Sequence, residues 1–252
     1  VAASLNINNN LDASITVGAS SLPVQNFYDL NDNSVNLFNY QTPYLQANQG
    51  GIGINANYKR ANSKFLFGAT VPVEQSNGHT LGLRKALTGS VEIGKPESQS
   101  LTVIAGLTED KDSLLGSQGT SAFSLDGSKS LTTFAAIKAQ KRLRDNFSIT
   151  GIASIGSTDM SSPSNSFVDS ASNVRSSSIA LIADMKNITK DDNFSFSIHQ
   201  PSRVESGSIA IKTASLADAN RNISQTVKNI NLESSSRQVD FGMSYRKDLS
   251  EN

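Results

Sequence analysis

The stretch IGINANYK, residues 52–59, decides the fold of this chain. Its apolar side chains alternate with small polar or cationic residues: Ile52, Ile54, Ala56 and Tyr58 against Gly53, Asn55, Asn57 and Lys59. A repeat of two is that of a β-strand, because successive side chains point to opposite faces. The stretch therefore predicts a strand with one apolar and one polar face.

The same alternation recurs along most of the chain. It is clearest at 194–198 and 239–245, and less regular runs lie at 5–7, 15–17, 65–71, 81–83, 91–93, 101–107, 131–137, 147–155, 179–185, 209–211 and 227–232. Gly, Asn, Asp, Ser and Pro clusters separate these runs and supply turns. With no helical pattern between them, the runs predict an all-β, antiparallel up-and-down sheet of about 12 strands.

Connection lengths point to a barrel. The segments 142–146 and 187–193 are short and charged, whereas the Ser-rich segments 157–173 and 216–222 are longer. Unequal connections suit a barrel with short turns at one rim and long loops at the other.

Composition narrows the function classes. Lys and Arg total 22 and Asp and Glu total 22, so no net charge favours a nucleic-acid partner. The absence of cysteine excludes disulfides and thiolate metal sites, and weakly favours the bacterial envelope. At 252 residues, one domain over 1–252 is the simpler expectation, since large barrels are often undivided.

Two architectures explain the alternation. An outer-membrane barrel turns its apolar face to lipid and its polar face to a wet lumen. A soluble β-sandwich, acting as an adhesin or surface-layer module, hides one face of each of two sheets. Trp is absent and aromatics are 6%, so a barrel's aromatic girdle would depend on residues such as Tyr58, Phe147 and Tyr245.

Residues 106–246 resemble a known protein family in three places. The matching segments are Gly106 to Leu125, similar to the pattern "LGS.G..AFSL" and the strand before it; Ser197 to Gly207, similar to "S.SQPLRVESG"; and Ser236 to Arg246, similar to "SGREIDLELGYR". The family is the C-terminal autotransporter-type β-barrel region of bacterial subtilisin-like serine peptidases. His199 departs from the family's usual Ser, and the chain ends at Asn252 without the expected closing strand and terminal aromatic residue.

The resemblance implies an outer-membrane location at the Gram-negative cell surface and a role as anchor and translocator of an N-terminal passenger. The implied partners are outer-membrane lipid, the passenger and the barrel-assembly machinery. The peptidase domain would belong to the parent chain, and this segment is expected to be non-enzymatic. A missing final strand is an open alternative.

Charged residues near the C-terminus predict a lumen polar network: Arg203, Glu205, Lys212, Arg237 and Arg246. In a wet lumen such charges pair and stay hydrated. A surface salt bridge is the alternative. Pro201 has no N–H to donate, so it predicts a bulge or a strand edge.

Other features do not make a catalytic, cofactor or metal site. Residues 119–122 echo a subtilisin nucleophile turn, but a strand pattern follows where a helix is needed, and His79 lacks the flanking signature. His79 and His199 are too few for a histidine-based zinc site. Glu109, Asp110 and Asp112 lack EF-hand spacing and predict a solvated acidic turn rather than a cation site.

Overall fold

The computed structural model describes residues 2–8, 10–18, 44, 51–72, 84–95, 97–115, 117–189, 191–216 and 223–247. The strands in chain order are β1 (Ala2–Asn8), β2 (Leu11–Gly18), β3 (Gly51–Arg60), β4 (Ser63–Pro72), β5 (Arg84–Lys95), β6 (Gln99–Lys111), β7 (Lys129–Arg144), β8 (Phe147–Met160), β9 (Val168–Lys186), β10 (Asp192–Leu216), β11 (Ile223–Asn231) and β12 (Asp240–Lys247). A three-residue 3₁₀ helix, Ser121–Phe123, lies between β6 and β7.

All twelve strands belong to one antiparallel sheet in which each strand pairs with the next in sequence from β1 to β11. The predicted up-and-down fold is therefore confirmed. The two-sheet sandwich is wrong for the described part of the chain, because every described strand lies in this single sheet. No helix among the described residues is long and apolar enough to cross a membrane.

The last two strands share one position in the sheet. β12 pairs with the first part of β10 and β11 with the last part, on the same edge. The register is continuous, because the number of residues from His199 to Ser208 on β10 equals the number from Asn231 to Asp240 on the partner strand. β11 and β12 are thus two halves of one strand whose ladder with β10 is interrupted over residues 232–239.

The connections alternate in length around the sheet. At one rim they span 9–10, 61–62, 96–98, 145–146 and 187–191; at the other they span 19–50, 73–83, 112–128, 161–167 and 217–222. This is the short-turn and long-loop arrangement that the sequence predicts. We refer to the two ends as the short-turn rim and the long-loop rim.

The sheet has two edges, and no ladder among the described residues joins β1 to β11 or β12. β1 at one edge and β11 and β12 at the other all run from the long-loop rim to the short-turn rim. Direct pairing between the two edges would therefore be parallel. An all-antiparallel ring has an even number of strand positions, whereas the described sheet has ten strands plus one interrupted position. The absence of a final strand stays a prediction.

Two strand boundaries differ from the sequence prediction. The runs 194–198 and 209–211 belong to a single 25-residue strand, β10, which continues through Pro201. The predicted loop 157–173 shrinks to 161–167, because β8 and β9 extend beyond the apolar part of the alternation with Ser, Thr and Asn. The predicted run 81–83, the loop 217–222 and His79 lie outside the described residues.

Candidate functional site: the two walls of the sheet

The outer wall of the sheet is apolar. The large hydrophobic side chains that point away from the concave side stay exposed: Ile52, Ile54, Tyr58, Phe67, Val71, Leu87, Ile93, Leu101, Val103, Leu107, Leu131, Ile137, Ile155, Ile179, Leu181, Phe196, Phe241, Met243 and Tyr245. On β8 the apolar outward stretch runs from Phe147 to Ile155. At strand rise and barrel tilt this covers roughly 20 Å along the axis. Such a continuous exposed surface marks an interaction site.

The inner wall carries small hydroxylated side chains, and these are the buried ones: Thr70, Thr88, Ser100, Thr102, Thr108, Ser130, Thr132, Thr150, Ser154, Thr158, Ser176 and Ser197. Some bond across strands, as Thr132 Oγ1 does with Thr158 Oγ1 at 2.8 Å and Ser154 Oγ with Ser178 Oγ at 2.7 Å. This polarity is the inverse of a soluble protein, in which large apolar side chains are inside.

Two buried clusters are apolar: one toward the long-loop rim contains Leu125, Met160, Val168, Ala171 and Val174, and the other lies on the inner wall around Phe134. Tyr44, the one described residue between β2 and β3, lies there and is 1% exposed. It packs in a cluster with Ile104, Phe134, Ala136, Ile152, Ala180 and Ile182. Its ring stacks on Phe134 with centroids 5.5 Å apart, and its hydroxyl bonds the Ser176 hydroxyl.

Glycines allow these rings to lie flat on the wall. A Cβ at Gly106 would stand 2.7 Å from the Phe134 ring, and one at Gly156 would stand 2.6 Å from the Tyr44 ring. Both glycines are directly opposite Phe134 in the ladders. Glycine within these strands therefore marks a close approach rather than a turn.

The bulge predicted at Pro201 is confirmed. Gln200 pairs with Ile179 and Arg203 with Ser177, so two residues of β10, Pro201 and Ser202, oppose one residue of β9, Ser178. A shift of one residue exchanges the two faces of a strand. Before the shift, Ile198 points outward and His199 points inward. After the shift, Arg203 is directly opposite Ser177, and Ser177 is directly opposite Ile155 on β8. Ile155 is 65% exposed on the outer wall, so Arg203 also points outward.

Three of the five predicted network residues come together. Arg203 Nε and Arg237 Nη2 lie 3.6 and 3.7 Å from Glu205 Oε2. Glu205 Oε1 accepts a hydrogen bond from the Ser177 hydroxyl at 2.6 Å. The structure places this cluster on the outer wall, level with Ile155 at the end of the apolar stretch, and not on the inner wall, because the bulge has reversed the faces.

The other two residues lie apart from this cluster. Lys212 Nζ pairs with Asp169 Oδ1 at 2.7 Å, at the long-loop rim. Arg246 is directly opposite Asn193, on the inner side of β12 near the short-turn rim. Of the five residues, the fold thus brings together only the three that flank the interruption in the sheet.

The acidic residues predicted to form a turn are instead paired. Asp110 faces inward and accepts a bidentate interaction from Arg84, with Nε–Oδ1 at 2.5 Å and Nη2–Oδ2 at 2.8 Å. Glu109 faces outward and pairs with Lys85 at 2.9 Å. Asp112 accepts from the Gly127 N–H at 2.6 Å. The turn prediction is wrong for Asp110 and Glu109, because β6 extends through both.

The remaining features singled out from the sequence are residues 119–122 and the histidines. Residues 119–122 lead into the 3₁₀ helix, not into an α-helix that would support a nucleophile. His199 Nε2 lies 3.5 Å from Asp240 Oδ2 on the inner wall. Among the described residues, no group of three His, Asp or Glu side chains is arranged to hold a metal. The absence of catalysis in this chain stays a prediction.

Tyr44 and the Arg84–Asp110 pair were not foreseen from the sequence. Gly106 and Gly156 were the available signal for Tyr44 and Phe134, since a glycine inside an alternating strand indicates that another group approaches closely. No local pattern links Arg84 to Asp110, which are 26 residues apart and meet only through the β5–β6 register.

No protein-family model matches this chain, and no curated protein sequence matches it. The structure is similar to that of OmpT (in-vitro folded), an outer membrane protein of Vibrio cholerae, with a TM-score of 0.50 and 7% identity. The similarity covers 97% of this chain and 86% of that chain. At this identity the likeness concerns the fold alone: an antiparallel up-and-down sheet like that of an outer-membrane barrel.

Proposed function

We propose that this chain is an outer-membrane β-barrel that anchors and translocates an N-terminal passenger, which is a subtilisin-like protease. The observation that carries the membrane part is the inverted polarity of the sheet, with an apolar outer wall and a hydroxylated inner wall. Exposed apolar surface of this extent is unfavourable in water and stable in hydrocarbon.

A wet lumen is supported by the inner wall itself. The hydroxyl oxygens of Thr70, Thr108 and Thr150 are buried and have no hydrogen-bond partner among the described residues. A buried hydroxyl without any partner costs about 1–3 kcal/mol, and ordered water bound between the wall and a wet lumen would remove that cost.

The passenger part of the proposal is supported by the resemblance. Two of the matching segments, 197–207 and 236–246, face each other across the interruption between β10 and the β11–β12 position. Arg203 Nη2 donates to the Ser234 carbonyl at 2.7 Å across this gap. The two segments that carry the resemblance to the autotransporter barrel region are therefore neighbours in the sheet.

The test is surface display in a Gram-negative host. The chain is expressed behind a signal peptide with a protease-sensitive reporter at its N-terminus, and we expect the chain in the outer-membrane fraction and the reporter degraded by protease added to intact cells. A Leu181→Arg variant, with its charge on the apolar wall, should assemble poorly, whereas Leu143→Arg, at the short-turn rim where β7 ends, should assemble normally. Outer-membrane chains with a protected reporter would refute translocation, and chains recovered soluble would refute the anchor.

A further inference from the structure

The outer wall contains an apolar groove of about 560 Å³ between β7, β8, β9 and β10. Its floor consists of small residues, Ala139, Gly151 and Ala153, which lie between the larger Ile137 and Leu181. A Cβ added at Gly151 would meet nothing within 4 Å. The groove therefore exists because the sequence leaves large side chains out of this part of the wall.

One end of the groove is polar. Gln200 and Val239 line that end, and Gln200 Oε1 accepts a hydrogen bond from Arg237 Nη1 at 3.1 Å. Arg237 also approaches Glu205, yet its side chain remains 63% exposed. With Arg203 on the other side of Glu205, two guanidiniums share one carboxylate, so the cluster has an excess of one positive charge.

The bulge at Pro201 is what joins these two features. Without the shift between Gln200 and Arg203, the alternation would direct Arg203 toward the lumen. The other charged residues of this wall near the cluster are Arg175, opposite Ser206, and Asp159, which accepts a hydrogen bond from the Asn173 N–H at 2.9 Å. These two charges offset each other, and Glu233 adds a carboxylate next to Ser234, so the excess positive charge is confined to the Arg203–Glu205–Arg237 cluster itself.

We propose that this groove and the Arg203–Glu205–Arg237 cluster form a binding site for an anionic, phosphate-bearing membrane lipid. The inference rests on the proposed function, since it requires the outer wall to face a bilayer. An acyl chain fits an apolar groove, and guanidinium groups bind phosphate with directional hydrogen bonds. Arg237, the exposed member of the cluster, contacts the headgroup, while Arg203 and Glu205 hold it in position.

The test uses the full chain in phosphatidylcholine vesicles that contain a small fraction of phosphatidylglycerol with brominated acyl chains. The chain has no native Trp, so a Phe241→Trp variant, directly opposite the groove residue Ile198, reports on lipid in the groove. We expect brominated phosphatidylglycerol to quench this tryptophan more than its mole fraction predicts, by about fivefold in apparent affinity over brominated phosphatidylcholine. A Leu87→Trp variant, on the distant β5 part of the same wall, should show no such preference.

Two further changes on the Phe241→Trp background separate the parts of the site. Arg237→Gln should abolish the preference for the anionic lipid, and Gly151→Leu should abolish it by filling the groove. A preference that survives both changes, or equal quenching by the two brominated lipids, would overturn the lipid site while leaving the barrel intact. If neither brominated lipid quenches either tryptophan, the proposed membrane function itself fails.

Discussion

Each wall of the sheet contains a region whose polarity is opposite to that of the surrounding wall. On the outer wall the charged residues Arg203, Glu205 and Arg237 lie beside the apolar stretch, and on the inner wall an apolar cluster surrounds Tyr44 and Phe134. The causes are different. A one-residue register shift carries the charges outward, whereas an inserted side chain covers the inner apolar patch.

A sheet with strict alternation can thus carry charged side chains on its apolar wall and an apolar cluster on its polar wall. A bulge changes which face a residue occupies without changing its sequence neighbours. An aromatic ring that packs over an apolar patch, as Tyr44 does, buries that patch without changing the strands beneath it. The first exception depends on the backbone, and the second depends on one side chain.

The largest expected effect is the loss of the covering ring. Tyr44→Ala should lower the free energy of unfolding by about 3–5 kcal/mol, because it leaves a cavity above Phe134 and Ile182. Tyr44→Phe keeps the stacking and should cost about 1 kcal/mol for the lost bond to Ser176. Denaturant titrations in lipid vesicles measure both, and equal effects for the two variants would mean that the ring does not cover the patch.

A charge in the apolar wall comes next. Phe196→Arg should cost about 2–4 kcal/mol in a bilayer, since Phe196 lies between Ala183 and Met243 on the apolar outer wall. The matched change Leu143→Arg, at the short-turn rim where β7 ends, should cost about 0–1 kcal/mol. The same titrations apply. A small cost at both positions would be the behaviour of a water-exposed surface and would contradict the account.

The backbone of the bulged region should be sensitive at Gly207. Its φ is +134°, and a Cβ there would stand 2.6 Å from Val174 Cα. Gly207→Ala should therefore destabilise the chain by about 1–3 kcal/mol. Gly151→Ala, in open space, is the control and should be close to neutral. Similar stabilities for the two variants would show that the region is not constrained as described.

The smallest expected effect is on stability, from removing a hydrogen bond between two hydroxyl groups of the polar inner wall. Thr132 and Thr158 bond each other at 2.8 Å in the lumen-facing ladder between β7 and β8. A double-mutant cycle with Thr132→Val and Thr158→Val should give a coupling free energy of about 1 kcal/mol. Additive effects would mean that water replaces the bond completely, and the pair would then contribute nothing specific.

Alternation was sufficient to predict the fold and the orientation of most strands. At residues 52–59 the outward Ile52, Ile54 and Tyr58 and the inward Gly53 follow the prediction without exception. The rule depends only on strand geometry, so it holds wherever the ladder is regular.

The candidate site was predicted less well because it lies where the ladder is irregular. The sequence indicated that Pro201 marks a bulge, but the face of Arg203 depends on whether the extra residue falls before or after it. Likewise, the cover provided by Tyr44 comes from a residue 90 positions before Phe134, and no periodic pattern encodes that contact.

The most direct test of the central claim, that the apolar wall meets lipid, uses two neighbouring positions of β3. Ile54→Trp and Asn55→Trp variants are prepared separately in vesicles of brominated phosphatidylcholine, in a chain with no other tryptophan. The account predicts strong quenching at position 54 and little at position 55, because the two side chains lie on opposite walls. Equal quenching at both positions, or stronger quenching at position 55, would contradict it.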